Sequence, residues 1–239
     1  MSATSPEPLD ALERAKLDAL KELAYGASHE INNPLANIAA RAQSLLRDET
    51  DPERRRALEA IHQQAMRAHE MISDLMLFAR PPRLVRQAVD VPQLLEQVRR
   101  ELAAECELRG IALCVSADAS LPPLSADANQ LAVAVKSLGA NALEAIGRDG
   151  RIDLAASLGA DGRSVVIAVR DDGPGIPAAV RPHIFEPFYS GREAGRGLGF
   201  GLPKCWRIVT EHGGQIAVSP PGERGTTFTI ELPVESPPA

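Results

Sequence analysis

The chain has 239 residues, a net charge of −6, 44% hydrophobic and 24% charged residues, the balance of an ordinary globular protein with room for one or two domains. The acidic balance argues against nucleic acid as a main partner, and no apolar run reaches the length of a membrane span. Cys106, Cys114 and Cys205 lack metal-ligand spacing and read as reduced thiols in a cytoplasmic protein.

Residues 1–19 carry neither the basic nor the apolar region of a signal peptide and read as a linker or frayed terminus. From Leu20 the apolar positions step by four and three: Leu20, Ala24, Ala27, Ile31, Leu35, Ile38, Ala42, Leu45. Asp51-Pro52-Glu53 then supplies an N-cap, a first-turn proline and an acid for the helix dipole. The stepping resumes at Leu58, Ile61, Ala65, Ala68, Ile72, Leu75 and Ala79, and Pro81-Pro82 stops it. Residues 20–82 are therefore expected to form an antiparallel helical hairpin. One narrow seam buries too little surface alone, so the hairpin is expected to pair with a second copy in a dimeric four-helix bundle.

His29 lies in Ser28-His29-Glu30-Ile31-Asn32-Asn33-Pro34-Leu35. Stripe residues Ala27 and Ile31 flank it, about 200° away around a helix, so the imidazole is expected to face solvent. Glu30 follows directly, and Pro34 removes a helix hydrogen bond nearby. An exposed imidazole beside a carboxylate at a weak point suits a nucleophile. A surface histidine in an ordinary helix is the plainer reading, and the second half of the chain decides against it.

Beyond Pro82 the pattern is mixed. Helices are expected at Pro92–Arg109, Asp127–Ile146 and Leu202–Glu211. Strands are expected at Ile111–Val115, Ile152–Leu158, Val165–Val169, Ile216–Val218 and Thr226–Leu232. Adjacent strand pairs among helices point to an α+β sandwich over residues 83–234 rather than a doubly wound parallel sheet, with a tail at 235–239.

Asp171-Asp172-Gly173-Pro174-Gly175 directly follows a predicted strand. Gly173 and Gly175 let the backbone turn and approach a ligand, and a strand-end carboxylate can accept from a purine amino group. A second cluster, Gly195, Gly197, Gly199 and Gly201, opens the predicted helix that ends near His212. Amides at such a helix start can hold phosphate. The stretch between the clusters, marked by Phe185, Phe188 and Tyr189, reads as a lid. Asn141 offers a neutral oxygen suited to Mg²⁺, although a lone helical asparagine is more often simply solvated.

These runs together resemble the catalytic core of two-component sensor histidine kinases, from Ala24 to about Pro233. His29 to Leu35 resembles the H box, in a form similar to nitrogen-regulatory kinases. Gln130 to Ile146 with Asn141 resembles the N box, and Asp171 to Ile176 the first glycine box. Ile184 to Tyr189 resembles the F box, Gly197-Leu198-Gly199-Phe200-Gly201-Leu202 the second glycine box, and Gly225-Thr226-Thr227-Phe228 the last. The second glycine box can also be registered at Gly195, Gly197 and Gly199. The later register keeps the family's spacing from Leu202 to His212-Gly213-Gly214.

The resemblance implies a Bergerat-type ATP fold with Asn141, Asp171, Gly173, Gly175, Gly197, Gly199, Gly201 and Thr226 around ATP, and Asn141 on Mg²⁺. It implies autophosphorylation of His29 and transfer to an aspartate of a response-regulator receiver domain. Glu30 is expected to take the Nδ1 proton, leaving Nε2 as nucleophile. Asn33 is expected to aim water at the receiver's phospho-aspartate, although it can equally cap the kink before Pro34. Ser137 replaces an asparagine frequent in the N box, and the lysine common after the F box is missing, with Arg192 nearby. These departures motivate an alternative, a dimeric pseudokinase scaffold that binds a receiver without turning over ATP. No sensor domain fits before Leu20, so the signal is expected from a longer chain or an upstream partner.

Overall fold

The computed structural model describes residues 30–118, 120–187, 189, 199–220 and 224–234. The chain forms two compact units that divide between Pro82 and Arg83.

In the first unit residues 30–46 are helical (α1), and α2 spans Pro52–Ala79. The Asp51 carboxylate accepts the amides of Glu53 and Arg54, each at 2.9 Å, and Pro52 occupies the first turn, where its missing N–H costs nothing. Arg55 donates to the Leu46 carbonyl at 3.3 Å and closes the hairpin. One step further in, His62 Nδ1 lies 3.0 Å from the Ala39 carbonyl.

The expected single seam is two stripes. Ala39, Ala42 and Ala65 are buried, small enough to bring the helices close. Ile31, Ile38 and Leu45, spaced by heptads, remain 39%, 45% and 62% exposed, and Ile61 48%. One helix contact covers only one such stripe, so the other stays open.

The second unit begins with β1, Gln87–Val89, paired antiparallel with β3, Leu124–Ala126. Its main sheet contains β2 (Ile111–Ala117), β4 (Gly150–Leu158), β5 (Ser164–Asp171), β6 (Gln215–Val218) and β7 (Thr226–Pro233), in the order β2-β4-β5-β7-β6. β2 runs parallel to β4, and the other pairs are antiparallel. Helices α3 (Val91–Arg109), α4 (Ala128–Ile146) and α5 (Gly201–Glu211) pack against one another and the sheet. Ile152, Leu154, Ile167, Ile230 and Phe228 meet Leu95, Leu131, Leu138 and Ile208 in a core with almost no exposure. Alternate burial along β5 and β7 follows from the two-residue side-chain period of a strand.

The α+β class and the expected helices of this unit hold. β1, β3 and a 3-10 turn at Arg181–His183 were not legible, because three residues are too few to carry a period. Among the described residues no helix is long and apolar enough to cross a membrane.

Candidate nucleotide site

The site is assembled where β5 ends beside the last turns of α4. Asp171 closes β5 and is only 3% exposed. Its Oδ1 accepts the Gly173 amide at 2.9 Å and the Thr226 amide at 3.3 Å. Burial pushes its carboxyl above the usual carboxylate range; the two amides oppose that, and the neighbouring Asp172 adds to it. Asp172 does separate work: its exposed side chain accepts the Arg151 amide at 2.8 Å and fastens the start of β4.

Gly173 fits where no larger residue would. A Cβ there would come within 2.8 Å of Asp171 Oδ1 and 3.5 Å of the backbone at Ala145 and Ile146. The glycine turn therefore lies directly against the C-terminal end of α4. Gly225 clamps the turn from the other side, its amide donating to the Gly173 carbonyl at 2.9 Å. It has φ +89°, and a Cβ would collide with the Asp171 carbonyl. Gly175 has φ +80°, which favours glycine.

One turn before Ala145 on α4 stands Asn141, half-buried, with Ser137 a further turn back and also half-buried. Leu138 and Ala142, on the adjoining face, are buried in the core. This spacing aligns Ser137, Asn141 and Ala145 along one edge of the helix, leading to the glycine turn. Gly201 begins α5, where a Cβ would meet nothing within 4 Å, and Gly199 has φ +71°.

Asp171, Gly173 and Thr226 are thus brought together by direct bonds, with Gly175 on the same turn and Asn141 on the helix against it. Glu30 and Asn33 are exposed on α1 in the other unit. His29 and Gly197 lie outside the described residues, as do Phe188 and Arg192. The sequence marked Gly225 only as part of the run that resembles the last box; that it clamps the turn after Asp171 is visible only in the structure. The donor set suits a nucleotide: a buried carboxylate for an amino group, close backbone at the glycines and one amide oxygen for a hard cation. Among the described residues no cluster of three or more acidic, His or Cys side chains forms a metal cage. An ion here would draw most of its ligands from phosphate and water, as Mg²⁺ does.

Comparison with known proteins agrees with this geometry. The family described as "Histidine kinase-, DNA gyrase B-, and HSP90-like ATPase" matches residues 126–236, and "His Kinase A (phospho-acceptor) domain" matches residues 19–83. The chain belongs to the histidine kinase family. It is 35% identical over 222 residues to the sensor histidine kinase ZraS of Escherichia coli K12, covering 92% of this chain and 47% of that protein. It is 32% identical over 233 residues to the sensory histidine kinase/phosphatase NtrB of Vibrio alginolyticus, covering 93% of this chain and 65% of that one. Full-length ShkA in complex with AMPPNP superposes with a TM-score of 0.78 at 27% identity, covering 91% of this chain and 47% of ShkA. The chain spans about half the length of ZraS, so these relatives contain much beyond the shared core.

Proposed function

We propose that this chain is a cytoplasmic protein-histidine autokinase that phosphorylates His29 from ATP and passes the phosphoryl group to an aspartate of a response-regulator receiver domain, which it also dephosphorylates. Residues 20–82 are the dimerisation and phosphotransfer domain, and residues 83–234 the catalytic domain. The observation that carries the reading is the buried Asp171 carboxylate, oriented by the Gly173 and Thr226 amides against the helix that bears Asn141.

In this reading Asp171 accepts from the adenine amino group, and Gly173 and Gly175 admit the ring against the backbone. Gly197, Gly199 and Gly201 offer amides to the phosphates, and Asn141 is the protein ligand of Mg²⁺, which offsets phosphate charge when bound. Glu30 holds the His29 Nδ1 proton, so Nε2 takes the γ-phosphoryl group while ADP leaves. Asn33, one helical turn below His29 in sequence, orients water toward the receiver's acyl phosphate.

The exposed stripe Ile31, Ile38 and Leu45 supports a homodimer, since a second hairpin would cover it. The signal enters from a segment or partner outside this core. The names of the relatives favour turnover over the pseudokinase alternative. Incubation with radiolabelled ATP decides between them. An acid-labile, base-stable phosphoprotein is expected, and His29→Gln should abolish it while nucleotide affinity persists. Undiminished labelling of His29→Gln would refute the acceptor, and an unlabelled parent would favour the pseudokinase.

A further inference from the structure

Asp127 joins three segments of the catalytic unit through one buried residue. Its Oδ1 accepts the Gln130 amide at 3.1 Å and caps α4. Its Oδ2 accepts the Val85 amide at 3.0 Å, from the strap that enters the unit after Pro82. Its own N–H donates to His212 Nε2 at 3.0 Å. His212 Nδ1 faces the Ile208 carbonyl at 2.8 Å, so the proton sits on Nδ1 and Nε2 is free to accept. Arg86, beside Val85, donates to the Ser125 carbonyl at 3.0 Å and to the His212 carbonyl at 3.3 Å. Asp127 and His212 are 7% and 2% exposed.

A helix cap alone does not need this arrangement, because a serine caps as well as an aspartate. The second carboxylate oxygen is what holds the strap. The strap comes from the hairpin side of the sequence, α4 bears Asn141, and α5 begins at Gly201. Unpaired buried donors and acceptors are costly, so these segments cannot shift independently without breaking a bond at the junction.

We infer that Asp127 is a positioning residue that couples the strap at Val85–Arg86 to the nucleotide-binding helix α4, with His212 tying both to α5. The coupling rests on the nucleotide-site reading above. Nucleotide bound along α4 steadies Asp127 and hence the strap, and by linkage a displaced strap weakens the geometry offered to nucleotide.

Amide hydrogen exchange at Val85 in the whole chain, with and without ADP, tests it. In the parent, ADP should slow that exchange by roughly threefold or more. Asp127→Ser keeps a cap but cannot reach Val85. It should bind ADP roughly threefold or more weakly than the parent, the reciprocal of the protection at Val85, lose the ADP response at Val85, and label His29 more slowly even at saturating ATP. Arg86→Gln, at an exposed position, decides the question if Asp127→Ser folds poorly. It should show the same lost response, with partial recovery in Arg86→Lys. A Val85 amide indifferent to ADP in a parent that binds ADP overturns the coupling, as does a retained response in the variants. A fall in ADP affinity that alone accounts for the slower labelling also overturns it, leaving Asp127 as a shaper of the site. A parent that binds no ADP removes the nucleotide site itself, and the coupling with it.

Discussion

Thr226 stands directly across the β5–β7 ladder from Asp171, and its amide reaches the Asp171 carboxylate at 3.3 Å. The pairing register of two strands far apart in sequence thereby orients the group assigned to adenine. Asp171→Asn preserves shape and removes the charge. ATP and ADP affinity should both fall by about tenfold to a hundredfold, the usual effect of losing a buried charged hydrogen-bond partner. Calorimetric titration checks this, and unchanged affinity for both nucleotides would remove Asp171 from the site.

Gly225 holds the same turn from the other strand. Its φ of +89° disfavours any side chain, and a Cβ would strike the Asp171 carbonyl. Gly225→Ala should destabilise the catalytic unit by ~1–3 kcal/mol, read as a lower urea midpoint. A midpoint equal to the parent's would show that the turn relaxes freely.

His212 makes stability depend on pH. Burial holds its imidazole below the ordinary value of 6.5; the bond to the Ile208 carbonyl opposes this, Arg86 adds to it, and Asp127 and Glu211 oppose it. The unfolded chain therefore binds the extra proton first as pH falls. The stabilisation is intact above the ordinary imidazole value and drains away as pH falls from there through the depressed one. His212→Gln retains an acceptor without a titration in this range. Thermal melts should show a flatter loss of stability below pH 6.5 in the variant than in the parent, and parallel curves would refute the assignment.

The open stripe on α1 predicts association. Ile38→Glu places a charge at the centre of Ile31, Ile38 and Leu45, where burial against a second copy would be costly. Sedimentation should show the parent as a dimer and the variant as a monomer. A variant that stays dimeric would locate the contact elsewhere.

Asn33, exposed on α1, is assigned to phosphatase chemistry. Asn33→Ala should slow dephosphorylation of the purified phospho-receiver while leaving labelling of His29 intact. If the parent does not accelerate receiver decay at all, the phosphatase role falls.

Much of the site was legible because the relevant properties are local. The apolar steps of three and four reveal helices wherever they recur, and Asp127 and Asp51 announce helix starts by residue type alone. Asp171 with Gly173 and Gly175 is weak as a signal alone, since many Asp-Gly turns are only turns; its reading as a ligand turn comes from its place among the other runs that resemble the kinase boxes. The seam, by contrast, was read as one stripe. Which apolar residues a helix pair covers depends on the crossing of the two helices, and that left Ile38 outside while burying Ala39.

By itself the sequence determined the helical hairpin and the α+β class, since each is written in spacing, while the order of the boxes was legible through the resemblance to histidine kinases. Only the tertiary structure decided that Thr226 faces Asp171, that Gly225 clamps Gly173, and that Asp127 meets His212 across a separation of 85 residues. Those pairings depend on the free energy of the packed sheet and its helices together, in which every buried donor and acceptor must find a partner at once, and no local window of sequence contains that condition.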